Sequence, residues 1–158
     1  MGNSTFEIKK DWIQELVKNL ESQITQALLE IDNEAHGAFS LDPYSLGYVL
    51  GICSGGFEFH RIDRDLDKVR ILIQAYPQLF GEAGHEILQT TLTLNNDEHS
   101  QFKEGTASGR EESLRWFHRK ENPIGLLRYV LSGEKTKSLN SQAAPYRYWA
   151  RSSFSHAG

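Results

Sequence analysis

Residues 43–56 read PYSLGYVLGICSGG, and the fold turns on what this stretch becomes. Asp42 and Pro43 have the form of an N-cap followed by a first helical residue, since proline loses nothing by lacking an N–H where no intrahelical bond would form. Small and apolar residues follow without a charge as far as Gly56. The stretch therefore reads as a buried helix, halted by the Gly55-Gly56 pair.

Helical signals extend in both directions from it. Upstream, Ser4 and Glu7 have capping-box spacing. Ile13, Val17, Leu20, Ile24, Ala27 and Ile31 then recur at alternating steps of four and three, drawing one apolar seam along a long amphipathic helix that Gly37 ends. Lys18, Glu21 and Glu30 occupy its other face. Downstream, Leu66, Val69, Leu72, Ile73 and Tyr76 keep helical spacing from the cap Asp65 to Pro77, where a proline removes a hydrogen-bond donor. Residues 82–97 combine β-favouring threonines with a helical apolar pattern and read as helix. Ser108 and Glu111 form a second capping box that opens a helix, and Asn122-Pro123 caps a last one before Gly133. The expectation is an all-α, compact bundle of five to seven helices, because the apolar strands of an α/β sheet are missing.

The chain divides by charge as well as by pattern. Residues 1–105 hold 8 basic and 17 acidic groups, whereas 106–158 hold 9 basic and 4 acidic. The stretch 132–144 is polar and small, a flexible link by composition. A helical domain over 1–131 is thus followed by a linker and a basic, aromatic C-terminal segment over 132–158. With 39% hydrophobic and 24% charged residues, the composition is that of a globular domain able to bury a core.

Several function classes are set aside by the residues themselves. Asp63 to Asp67 alternates carboxylates like a calcium loop, but Lys68 and Gln74 stand where that loop needs Gly and Glu. The six histidines never fall three to five apart, so no local metal pair is expected, and no glycine-rich loop leads into a lysine that could cradle phosphates. No cofactor and no metal is expected. Phe6 occupies the position where a myristoylation motif needs Ser or Thr. A lone cysteine, no leader-like apolar start and no apolar run long enough to cross a bilayer lead to the expectation of a cytoplasmic protein without a membrane partner.

Three functional readings remain. In the leading one the chain is a non-catalytic binding or regulatory protein. Arg110, Arg115, Arg119, Lys120 and Arg128, together with Tyr146, Arg147, Tyr148, Trp149 and Arg151, make a surface where cations hold phosphates and rings accept unstacked bases. Its partner would be single-stranded nucleic acid or an acidic protein, and the heptad-like seam of the first helix would permit a homodimer. In the second, Arg151, four residues and His156 resemble the terminal motif of HEPN-domain ribonucleases, small α-helical proteins that cleave RNA without metal. That resemblance implies His156 as the group moving the 2′-hydroxyl proton and Arg151 as the stabiliser of the charged phosphorane. In the third, Gly51-x-Cys53-x-Gly55 is similar to the nucleophile turn of class I glutamine amidotransferases and of dienelactone-type hydrolases. It implies Cys53 as a nucleophile on a tight turn between strand and helix.

Overall fold

The computed structural model of the protein describes residues 10–34 and 41–131. They form six α-helices and one short 3-10 turn: α1 (Lys10–Glu34), α2 (Pro43–Phe59), α3 (Asp65–Phe80), the turn Gly81–Ala83, α4 (Gly84–Asn96), α5 (Ser100–Arg119) and α6 (Gly125–Leu131). No strand occurs among the described residues, and the all-α architecture holds. The Ser4–Glu7 capping box, the stop at Gly37 and everything from residue 132 onward lie outside the described residues.

The quoted stretch is the centre of the molecule. Asp42 caps α2 by accepting a hydrogen bond from the Ser45 N–H at 2.9 Å, with Pro43 as its first helical residue. Nearly every residue from Ser45 to Phe57 is buried, the signature of a helix enclosed on all sides. Gly55 and Gly56 do not halt it: α2 runs on to Phe59. Helix-interior glycine is disfavoured by backbone entropy, by about 1 kcal/mol against alanine, but tertiary packing here outweighs that penalty at both residues.

The packing in question is led by the contact between α2 and α5, the most extensive pairing of helices in the structure. The two run parallel and touch backbone to backbone. A methyl group on Gly51 would lie against the Thr106 carbonyl oxygen and 2.9 Å from the Arg110 nitrogen. One on Gly109 would meet the Tyr48 carbonyl oxygen and stand 2.9 Å from the Ile52 nitrogen. Gly47 and Gly55 extend the seam along α2, and Gly105 and Ser113 extend it along α5. Small residues every fourth position place a flat strip on each helix, which lets the axes approach more closely than larger side chains permit. Ser113 adds a bond across the seam, its hydroxyl donating to the Ile52 carbonyl at 2.8 Å.

The remaining helices pack around this pair, with corrections to the boundaries read from sequence. The α1 seam is buried as expected: Ile13, Val17, Leu20, Ile24 and Ala27 all lie in the core, and α1 meets α2, α3 and α6. From Ile13 to Ala27 the chain itself covers that seam, so this part is not a free face for the homodimer contact; the side chain of Ile31 lies outside the described residues. Helix α3 opens at Asp65 with Arg64 as its N-cap residue, so Asp65 and Asp67 favour the helix dipole from the first turn. It continues through Pro77 to Phe80. The missing donor falls in the last turn, and the chain then reverses at Gly81, whose φ of 62° favours glycine. The buried stripe of α3 is Ile71, Leu72, Ala75, Tyr76, Leu79 and Phe80, while Leu66, Val69 and Ile73 face outward.

Helix α4 keeps its threonines helical by returning hydroxyl donors to the turn below: Thr91 to the Ile87 carbonyl at 2.8 Å and Thr93 to that of Gln89 at 3.0 Å. Helix α5 starts at Ser100, so Ser108 is an interior residue whose hydroxyl accepts from Tyr44 Oη at 3.2 Å, not an N-cap.

An exposed helical glycine gains stability on mutation to alanine; the seam reverses the sign. Gly51→Ala is expected to lower unfolding stability by at least about 2 kcal/mol, an overpacking cost. Urea denaturation measures it, and a stabilised variant would show that the backbones do not touch.

Candidate functional site

Of the cations expected within 106–131, Arg110, Arg115 and Arg119 lie exposed on α5, Lys120 forms its C-terminal cap and Arg128 belongs to α6. Arg110, Arg115 and Arg119 recur at steps of five and four, while Gly105, Gly109 and Ser113 turn inward. The exposed cations therefore flank the seam, Arg110 on the side that reaches Glu58 and Arg115 and Arg119 on the other. Along the outer face runs an open groove of about 730 Å3, lined by the three arginines together with Leu114, His118 and one glutamate, Glu111.

The cations are not equally available. Arg110 is held by Glu58 at the end of α2, through Nη2 at 2.6 Å and Nε at 3.0 Å. Arg115 has a loose contact with Glu111 at 3.8 Å, one helical turn away, a pair worth only a few tenths of a kcal/mol at such exposure. Arg119, Lys120 and Arg128 are exposed and make no ion pair among the described residues. Lys120 closes α5 in the left-handed conformation, its N–H donating to the Trp116 carbonyl. Arg115 also lines a smaller cleft of about 250 Å3 that it shares with Arg128 and Glu121. Arg119, Arg115 and Arg128 therefore follow one another across the α5–α6 surface.

What holds α6 against α5 is a partly buried polar junction that the sequence did not signal. Helix α6 begins at Gly125, two residues beyond the expected Asn122-Pro123 cap, and its free N–H groups are satisfied from other helices. Glu112 Oε1 accepts from Ile124 N at 3.0 Å and Gly125 N at 2.8 Å. Gln23 Oε1 accepts from Leu126 N at 2.9 Å and Leu127 N at 3.1 Å. Between them Tyr48 Oη donates to Glu112 Oε1 at 3.0 Å and accepts from Gln23 Nε2 at 3.2 Å. Burial, and then the charge of Glu112, push the Tyr48 hydroxyl well above the ordinary tyrosine range. It stays protonated and keeps donating. The Tyr129 ring of α6 stacks on Tyr44 at 4.1 Å, and its hydroxyl donates to Asp42 Oδ2 at 2.8 Å.

A second feature that sequence reasoning missed lies where α2 and α5 end side by side. Phe59 is 37% exposed. Its ring stacks on Phe117, with centroids 5.0 Å apart and planes 16° from parallel, while the rings of His60 and His118 stand nearly perpendicular to it at 5.1 and 5.0 Å. No ring among the described residues stacks on its other face. Trp12, stacked on His60 at 4.7 Å, and Trp116, stacked on Phe117 at 5.5 Å, support the cluster from behind. Because His118 belongs to both, the exposed ring adjoins the arginine groove.

Cys53 is placed differently from a nucleophile. It sits in the middle of continuous α2, buried, and desolvation pushes its thiol up to about 12. The strand-to-helix turn is not formed, and the glycines flanking Cys53 serve the α5 seam instead. Arg151, His156, Tyr146, Arg147, Tyr148 and Trp149 lie outside the described residues. Among the described residues no three His, Cys, Asp or Glu side chains are grouped to hold a metal ion, and no helix is long and apolar enough to cross a membrane.

The chain matches no protein-family model, no curated protein and no solved structure in the comparisons made.

The Cys53 environment has a direct consequence. An unfolded thiol ionises near 9 and the folded one near 12, so below 9 both states are protonated, and between the two values rising pH favours the unfolded chain. At mildly alkaline pH iodoacetamide should label native protein at least about a thousandfold more slowly than urea-unfolded protein, because only the thiolate reacts. Equal rates would place Cys53 in an open, reactive setting.

Proposed function

We propose that the protein acts by binding, holding an anionic macromolecule on the outer face of α5 and the adjoining surface of α6. The observation that carries this reading is the row Arg119, Arg115, Arg128, in which, among the described residues, two of the three arginines make no ion pair and the third makes a weak one. An arginine kept out of internal pairs offers a bidentate fork to phosphate or carboxylate without first giving up a bond. Among the described residues the groove is lined by Arg110, Arg115 and Arg119 against Glu111, which makes it locally positive on a chain whose net charge is −4, while the smaller cleft sets Arg115 and Arg128 beside Glu112 and Glu121. Tyr146, Arg147, Tyr148, Trp149 and Arg151 are assigned to the same task on sequence alone.

Arg110 has a lesser part in it, since Glu58 already takes its guanidinium. Lys120 contributes charge at the end of α5, where a cation also complements the helix dipole. No catalytic group is assigned to this surface.

Labelled single-stranded RNA, followed by anisotropy over a salt series, tests the reading. Three phosphate contacts on a single strand predict a slope of log K against log salt of about −2, and Arg119→Ala should reduce it by about 0.7. The RNA should remain intact on a denaturing gel. Salt-independent affinity would contradict the proposal, and cleavage that disappears in His156→Ala would replace it with the ribonuclease reading.

A further inference from the structure

We infer that the exposed face of Phe59 is a stacking platform for one unpaired nucleobase, which makes the anionic partner a single-stranded nucleic acid. The inference rests on the proposed binding role of the α5 surface and deepens it.

Three observations meet at this ring. Phe59 is the exposed phenylalanine of the aromatic cluster, at 37% accessibility. Its orientation is held by three rings, Phe117 stacked on it and His60 and His118 standing nearly perpendicular to it. A base landing on it would meet a ring already fixed in place, so little side-chain freedom remains to be lost on binding. His118 also connects the platform to the groove that Arg115 and Arg119 line. A phosphate backbone lying along the arginines therefore has an apolar, planar surface beside it, the combination by which proteins hold single strands.

The apolar ring chooses between the two anionic partners. A carboxylate gains nothing on the face of a phenylalanine ring, whereas a neutral base stacks there while its phosphates go to Arg115 and Arg119 on the groove. A duplex keeps its bases stacked on one another and presents none to Phe59.

The test compares a short fluorescein-labelled single-stranded DNA with an abasic strand of the same length, using the full chain, and polyglutamate as a competing anion. The wild-type protein should bind the base-bearing strand roughly tenfold more tightly than the abasic one, the range of one aromatic stacking contact. Phe59→Leu should lower that preference severalfold and leave the salt slope unchanged; Phe59→Tyr should retain both. Salt-dependent binding with equal affinity for the two strands would overturn the platform while leaving the arginine surface standing. Polyglutamate displacing DNA at equal charge concentration would show an acidic protein to be the better partner and overturn the inference. Absence of salt-dependent binding to any of the three would overturn the binding role along with it.

Discussion

The backbone contact between α2 and α5 governs how everything else in the molecule is arranged. Side-chain packing between helices tolerates adjustment, because a rotamer can move aside. A contact between main chains through Gly51 and Gly109 does not, since the atom a methyl would strike is a carbonyl oxygen held in the helix ladder. The seam aligns the two helices in parallel and brings their C-terminal ends to one place. It also turns Gly105, Gly109 and Ser113 inward, and at 3.6 residues per turn the arginine positions fall to either side of that strip, exposed.

The other helices lean on that pair through polar as well as apolar contacts. Tyr48 belongs to α2, Glu112 to α5 and Gln23 to α1, and together they satisfy the first N–H groups of α6. A partly buried junction of this kind gains little net energy per bond, but removing one member leaves buried donors or acceptors unpaired at about 1–3 kcal/mol each. Its effect is specificity of placement. Helix α6 has seven residues, too few to be stable alone in water, and it is these foreign caps that hold Arg128 beside Arg115.

Much of the fold was legible in the sequence and much of the site was not, for identifiable physical reasons. Periodicity placed the α1 core residues correctly, and Asp42-Pro43 marked the start of α2, because caps and apolar repeats are local. Stop signals misled where tertiary packing outweighed a local penalty: Gly55 and Gly56 are helical because α5 and Trp12 occupy the space beside them. The same glycines, read in steps of two around Cys53, resemble a nucleophile turn; read in steps of four, Gly47, Gly51 and Gly55 declare a helix seam. On α3 the apolar pattern was wide enough for two stripes, and the core took the one containing Ile71 and Ala75. The cations of α5 could be found from charge alone. Phe59 could not, because its environment comes from residues 117 and 118, far away in the chain.

Helix α5 thus commits one side to the α2 backbone, and its exposed surface is the one proposed to meet an anionic strand. Amide nitrogen–proton spectra recorded while single-stranded DNA is titrated into the protein read both sides of the helix at once. Shifts should concentrate at Phe59, Arg115, His118 and Arg119, with Gly105, Gly109 and Ser113 left in place. Shifts centred on the exposed α3 stripe of Leu66, Val69 and Ile73, or spread over the seam residues, would be incompatible with such a division.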